Sequence, residues 1–234
     1  MNYELMNNNK VFLSGRVESE PEFSHETFGE GFYEVKLAVP RLSEHLDIIP
    51  VTVSEKLLAK DAFKVGNFVA IKGQFRSYNK IVDEKSRLML TVFVRELIEV
   101  DDTMNPNIIE IEGFICKPPV YRTTPFKREI CDVLVAVNRA YNKSDYLPCI
   151  AWGRNARFIK DTEVGTKVSI VGRIQSREYQ KKINDDEYET KTAYEISVNK
   201  IQISGAESEE TDTNVNLVEH WYIFVLNFSI IIVK

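Results

Sequence analysis

The side chains with the most chemical capacity are aromatic and cationic, and they crowd into one stretch of the chain. GRIQSREYQKK (172–182) carries Arg173, Arg177, Tyr179, Lys181 and Lys182. Upstream, Trp152 and Arg154 flank a glycine in AWGR, Tyr146 lies six residues before Trp152, and Arg139 ends VAVNR. Even spacing puts Tyr146 and Trp152 on one face of an extended strand, and Arg173, Gln175, Arg177 and Tyr179 on one face of another. Aromatic planes accept stacked bases while guanidinium and ammonium groups neutralise phosphates, a combination suited to single-stranded nucleic acid. Core packing is the competing reading for any lone aromatic on a strand. Trp152 and Tyr179 with four nearby cations favour binding.

Catalytic chemistry finds no such support. The sequence has no GxxxxGK[ST], HExxH or GxSxG, and no GxGxxG between a strand and a helix. His25, His45 and His220 are scattered, without a cysteine or carboxylate at ligand spacing. Carboxylates gather in runs such as Asp185-Asp186-Glu187, which read as solvated loops. Cys116, Cys131 and Cys149 are odd in number and widely spaced, so reduced thiols are expected rather than a disulfide framework or zinc site. The expectation is a non-enzyme without cofactor or metal.

The elements that must position these side chains occur twice. At a shift of 98 residues Gly15 maps to Gly113, Pro21 to Pro119, LAVPR (37–41) to VAVNR (135–139) and Pro50 to Pro148. One inserted residue later, Gly66 maps to Gly165 and Gly73 to Gly172. The chain therefore reads as two copies of one domain, 7–102 and 105–204, followed by a tail at 205–234. In the first copy strands are expected at 11–17, 35–39, 48–53, 69–75 and 88–94, with a helix over EKLLAKDAF (55–63). The second repeats this order at 108–115, 130–137, 146–151, 167–176 and 194–203, with its helix at 154–160. Five strands with one helix between the third and fourth is the order of a small OB-type barrel, so the fold class expected is all-β, two tandem five-stranded barrels. The strand glycines 15, 73, 113 and 172 sit where such a barrel bends.

Charge divides the copies. The formal net charge is −5, which argues against a uniformly basic coat. Yet residues 1–102 hold 13 Lys/Arg against 17 Asp/Glu, and 103–204 hold 16 against 13. Residues 205–219 hold five acids and no base. A positive second copy beside a negative tail suggests a polyanion site in that copy. MNYELMNNNK lacks the apolar core of a signal peptide, so a cytoplasmic protein is expected. Residues 221–233 are apolar and β-branched. As a helix they would reach about 20 Å against the roughly 30 Å hydrocarbon core, so no membrane span is expected.

The runs AWGRNARF, VGTKVSIVGRIQSREYQ and AYEISV resemble the bacterial single-stranded DNA-binding proteins, in a two-domain, Firmicutes-type version. The resemblance implies an OB fold, sequence-tolerant binding of single-stranded DNA in replication, repair or recombination, and a nucleoid-associated homodimer presenting four barrels. It implies stacking by Tyr146, Trp152 and Tyr179 and a backbone contact from Arg177. The first copy departs, with Ile48, Ser54 and Lys80 at the stacking positions. Phe75, Arg76 and Tyr78 are its candidate replacements, and the first copy is expected to be mainly architectural. The acidic tail implies docking of replication or repair proteins, although it continues into HWYIFVLNFSIIIVK rather than a short apolar tip. The alternative function is a protein-interaction scaffold in a replication or mobile-element complex.

Overall fold

The computed structural model describes residues 7–43, 45–82, 85–99, 106–182 and 188–204, all within one compact unit. The acidic run at 185–187 and the tail at 205–234 lie outside these residues, with the expectations attached to them.

Alternating apolar residues form long, bent strands around two centres. In the first half these are β1 (Asn9–Val17), β2 (Glu22–Thr27), β3 (Glu30–Pro40), β4 (Leu46–Ser54), β5 (Phe68–Val82) and β6 (Lys85–Ile98). The second half repeats them as β7 (Asn107–Ile115), β8 (Val120–Thr123), β9 (Glu129–Arg139), β10 (Lys143–Trp152), β11 (Lys167–Lys182) and β12 (Tyr188–Ile203). β1 pairs with both β3 and β5, β5 with β6, β6 in parallel with β4, and β4 with β3. That circuit closes a five-stranded barrel, and β7, β11, β12, β10 and β9 close its twin. The inward residues are buried: Leu13, Val35, Ile49, Ile71, Phe75 and Val92 in one barrel, and Ile111, Val135, Leu147, Cys149, Ile174 and Ile196 in the other.

Three features differ from the sequence expectation. Each half has a sixth strand, β2 or β8, paired only to the outer side of β3 or β9. Both are exposed along their whole length, so no apolar alternation betrayed them. β5 and β11 run well past residues 75 and 176 as arms of long hairpins. The helix expected over 55–63 is one turn, α1 (Glu55–Leu58), ended by the left-handed Asp61 (φ 56°). Its counterpart α2 (Arg154–Ile159) keeps nearly the expected length and buries Ala156 and Ile159.

The barrels join through antiparallel pairing of β1 with β7, from Asn9 opposite Ile111 to Leu13 opposite Asn107. The result is a 12-stranded sheet whose outer strands are β2 and β8. Among the described residues no helix is long and apolar enough to cross a membrane. The three cysteines are free thiols. Burial raises all of them, Cys131 to about 11.

Tight curvature explains Gly113. A Cβ there would stand 2.5 Å from the carbonyl oxygen of Ala136 and 2.7 Å from the Val135 side chain. Backbone cannot yield as a side-chain tip can, so Gly113→Ala should cost about 1–3 kcal/mol in urea denaturation. An unchanged midpoint would contradict the close approach.

Candidate nucleic-acid interface

β10 pairs with β9 in unbroken register, so its side chains alternate strictly. Leu147, Cys149 and Ala151 point inward, leaving Tyr146 and Trp152 on the outer face, 45% and 37% exposed. Gly153 follows Trp152 with φ 51° and ψ −113°, a backbone turn suited to glycine that swings the chain into α2. In β11 the bulge lies at Val171/Gly172, upstream of the functional run. Arg173, Gln175, Arg177 and Tyr179 consequently share one face.

Parts of these faces border a groove of about 1290 Å³, whose lining includes neither Tyr146 nor Tyr179. Trp152, Asn155, Arg173 and Arg177 line it, with Arg122 and Arg128 from the β8–β9 hairpin. Arg173 Nη2 donates to Gln175 Oε1 at 3.3 Å, and Gln175 Nε2 to Glu195 Oε1 at 2.8 Å. Arg177 Nε lies 3.8 Å from the same carboxylate oxygen. Its guanidinium also sits 5.9 Å from the centre of the Tyr179 ring, at the outer limit for a cation–π contact. The nearly buried Glu195 thus fixes a row of donors along the groove floor. The first barrel also lines it, through Lys36, Arg41, His45, Leu46 and Ile48.

Tyr146 and Arg139 are in another place. The Tyr146 backbone N–H donates to Ser77 Oγ at 2.7 Å, against β5 of the first barrel. Ser77 N–H donates to Asp145 Oδ1 at 2.7 Å, and Arg139 Nε lies 3.4 Å from Asp145 Oδ2. A matching clasp works in the other direction. Asp47 Oδ1 accepts from Ser176 N–H at 2.6 Å and from its hydroxyl at 3.0 Å. Arg41 grips Asp47 through Nε and Nη2 and donates Nη2 to the Ser176 carbonyl at 2.9 Å. Each barrel therefore holds the hairpin arm of the other through an Arg–Asp pair.

The clasps are unequal. Burial pushes the Asp47 carboxyl up, but the Arg41 and Ser176 hydrogen bonds outweigh it and leave the group below its usual value. For Asp145 burial prevails over the Ser77 N–H and the two arginines, and the carboxyl is raised. Asp145 Oδ2 and Arg139 Nε are buried without a hydrogen bond.

The remaining candidates scatter. Arg154 is exposed at the start of α2. Lys181 and Lys182 end β11 opposite Glu189 and Tyr188 in the ladder. Phe75, expected as a surface replacement, is fully buried in the first barrel. Arg76 is part-buried with its guanidinium 4.1 Å from the Phe93 ring centre, and burial lowers it to about 10. Tyr78 stays 39% exposed.

Sequence reasoning missed Arg122 and Arg128, although three cations within RTTPFKR (122–128) signal a basic loop. It also missed an aromatic row on the first barrel. His25 stacks on Phe32 at 5.1 Å, and Phe32 meets Phe93 at 5.5 Å beneath Arg76 and Arg95.

Two fused OB barrels with a cationic, aromatic groove define the class of protein. Residues 106–204 match the Single-strand binding protein family. Single-stranded DNA-binding protein 1 of Staphylococcus aureus (strain COL) and protein 2 of strain MSSA476 are each 30% identical over 81 residues. That match covers 32% of this chain and 48% of each relative, so the chain spans about half the length of the curated relatives it matches. The crystal structure of wild-type single-stranded DNA binding protein from Thermus aquaticus superposes with a TM-score of 0.58 at 17% identity, over 87% of this chain and 96% of that one. At that identity the likeness shows the fold.

Proposed function

We propose that the protein binds single-stranded DNA with little sequence preference and acts by binding alone, in replication, repair or recombination. The observation that carries this reading is Trp152, part-exposed beside Arg173 and Arg177 in the stretch the family matches. Base planes stack on Trp152 and Tyr179, and Arg173, Arg177, Arg154, Lys181 and Lys182 meet phosphates. Arg76 and Arg139, tied to Phe93 and Asp145, serve the architecture. Tyr146 works apart from the groove, at the contact between barrels.

Titration with oligo(dT) tests the reading. Tryptophan fluorescence should quench to a stoichiometric endpoint, and the quenching should vanish in Trp152→Phe. With Arg173, Arg177, Arg154, Lys181 and Lys182 neutralising about four or five phosphates, the log–log salt slope should be about −3. A slope of zero removes phosphate tracking, and no binding at low salt leaves the scaffold reading in front.

The assembly we propose is a homodimer presenting four barrels. The exposed edges β2 and β8 support it, because unpaired strand edges invite pairing between chains. Light scattering should give about twice the 27.0 kDa chain mass. A value near one chain mass rejects the dimer. Recruitment of replication or repair proteins through 205–219, and action at the nucleoid, belong to the same proposal.

A further inference from the structure

We infer that the acidic edge strand β2 of one molecule pairs with the basic edge strand β8 of a second copy, so that two chains join by unlike edges. The inference rests on the dimer reading above and says which surfaces meet.

A reversal of charge between twin elements carries it. Residues 18–30, which run through β2 and its turn, hold five glutamates and no lysine or arginine. At the repeat shift of 98, residues 116–128 run through β8 with Lys117, Arg122, Lys127, Arg128 and no acid. All of these charged side chains except that of Glu30 are exposed. The two hairpins otherwise match, down to an exposed phenylalanine at each tip, Phe28 in one and Phe126 in the other. The shape is kept and the sign is changed, so the sign serves something other than the barrel.

The strands are open on one side. β2 pairs with β3 alone and β8 with β9 alone, as the outer strands of the 12-stranded sheet. An unpaired edge presents backbone N–H and C=O groups as a template for another strand. Charge decides which strand. Two β2 edges, or two β8 edges, bring like charges together, whereas β2 against β8 sets glutamates beside cations. Phe23 on β2 is 64% exposed and Val120 on β8 is 57% exposed, which adds apolar surface to both sides. Glu22 also stands opposite Glu34 in its own ladder, a like-charge pair that a second chain's cations would relieve. Lys117 and Lys127 bracket β8 and are the cations left for a partner, since Arg122 and Arg128 line the groove. The join is head-to-tail, so a joined pair keeps one edge of each sign open and can repeat the contact.

Sedimentation velocity on the full chain tests the pairing. Glu22→Lys with Glu26→Lys reverses the charge of β2, and Lys117→Glu with Lys127→Glu reverses the two cations that bracket β8. Each double variant alone should raise the Kd for self-association by about tenfold or more, because like charges then meet. An equimolar mixture of the two should associate again, each reversed edge meeting its opposite. The changed side chains are exposed, and an unchanged thermal midpoint checks the fold. Raising salt from about 0.1 M to about 1 M shortens the screening length from about 10 Å to about 3 Å and should weaken the unaltered assembly. If the unaltered protein is a dimer and both variants stay dimeric at the same concentration, unlike edges are not the interface and the dimer stands on another surface. If the variants dissociate but their mixture does not associate, the two edges are not each other's partners and the pairing is wrong. If the unaltered protein has one chain mass, the dimer reading falls and this pairing falls with it.

Discussion

Removing the side chains of Trp152 and Tyr179 together should weaken oligo(dT) binding by about 2–6 kcal/mol, since each stacked base is worth about 1–3 kcal/mol. Both rings stand on outer faces of well-paired strands, Trp152 at the end of β10 and Tyr179 on the β11 arm. Each is more than one-third exposed, so truncation removes a stacking plane without opening a cavity in the barrel. The effect belongs in the affinity, with the thermal midpoint nearly unmoved. Tyr146→Ala supplies the contrast. It lies at the same strand parity as Trp152, yet its backbone is held by Ser77 at the junction between barrels. Its loss should cost clearly less in the same titration. Phe75→Ala should reverse the pattern: a fully buried phenylalanine costs about 3–5 kcal/mol of stability. Equal losses of affinity in Tyr146→Ala and in Trp152→Ala would put both rings on one track and contradict the separation between them.

What the sequence could reveal followed from local periodicity. Alternation locates the barrel strands because each has one wet and one dry face. The parity of Arg173, Gln175, Arg177 and Tyr179 is legible because the β11 bulge falls before them. β2 and β8 carry no such pattern, being exposed on both faces. Tyr146 shows the limit more clearly. Its parity with Trp152 is a property of one strand, whereas the site each ring serves depends on how two barrels meet. That meeting is set by β1 pairing with β7, and both strands look locally like any half-buried strand. Asp47 did carry a signal, an isolated acid inside LDIIPV. A charge there is tolerable only with partners: Arg41 lies six residues away, but Ser176, which completes the clasp, lies 129 residues away.

Asp47 is where we expect the largest effect on stability from a polar side chain. Its side chain is fully buried, held by Arg41 and by the N–H and hydroxyl of Ser176. Asp47→Ala leaves the guanidinium and the Ser176 amide without their acceptor, and breaking a buried pair from one side costs about 3–5 kcal/mol. The twin clasp should respond differently. Asp145 is 1% exposed, and one of its oxygens has no hydrogen bond. Asp145→Asn removes a poorly compensated charge and should cost much less than Asp47→Asn. The pH dependence separates them further. Asp47 is lowered on folding, so its contribution is present above the unfolded value of about 3.9 and lost as pH falls through the folded value. Asp145 is raised, so its contribution is present below about 3.9 and lost as pH rises through the folded value. Urea denaturation across this acid range should show Asp47→Asn flattening the fall in stability with acid, and Asp145→Asn steepening it. The consequence for binding follows from sequence order, because Ser176 is fixed by Asp47 and Arg177 is its neighbour. In Asp47→Asn protein that remains folded, Arg177→Ala should lose less affinity than it does in the unaltered chain. If the two substitutions add, the clasp holds the barrels together without positioning the arginine.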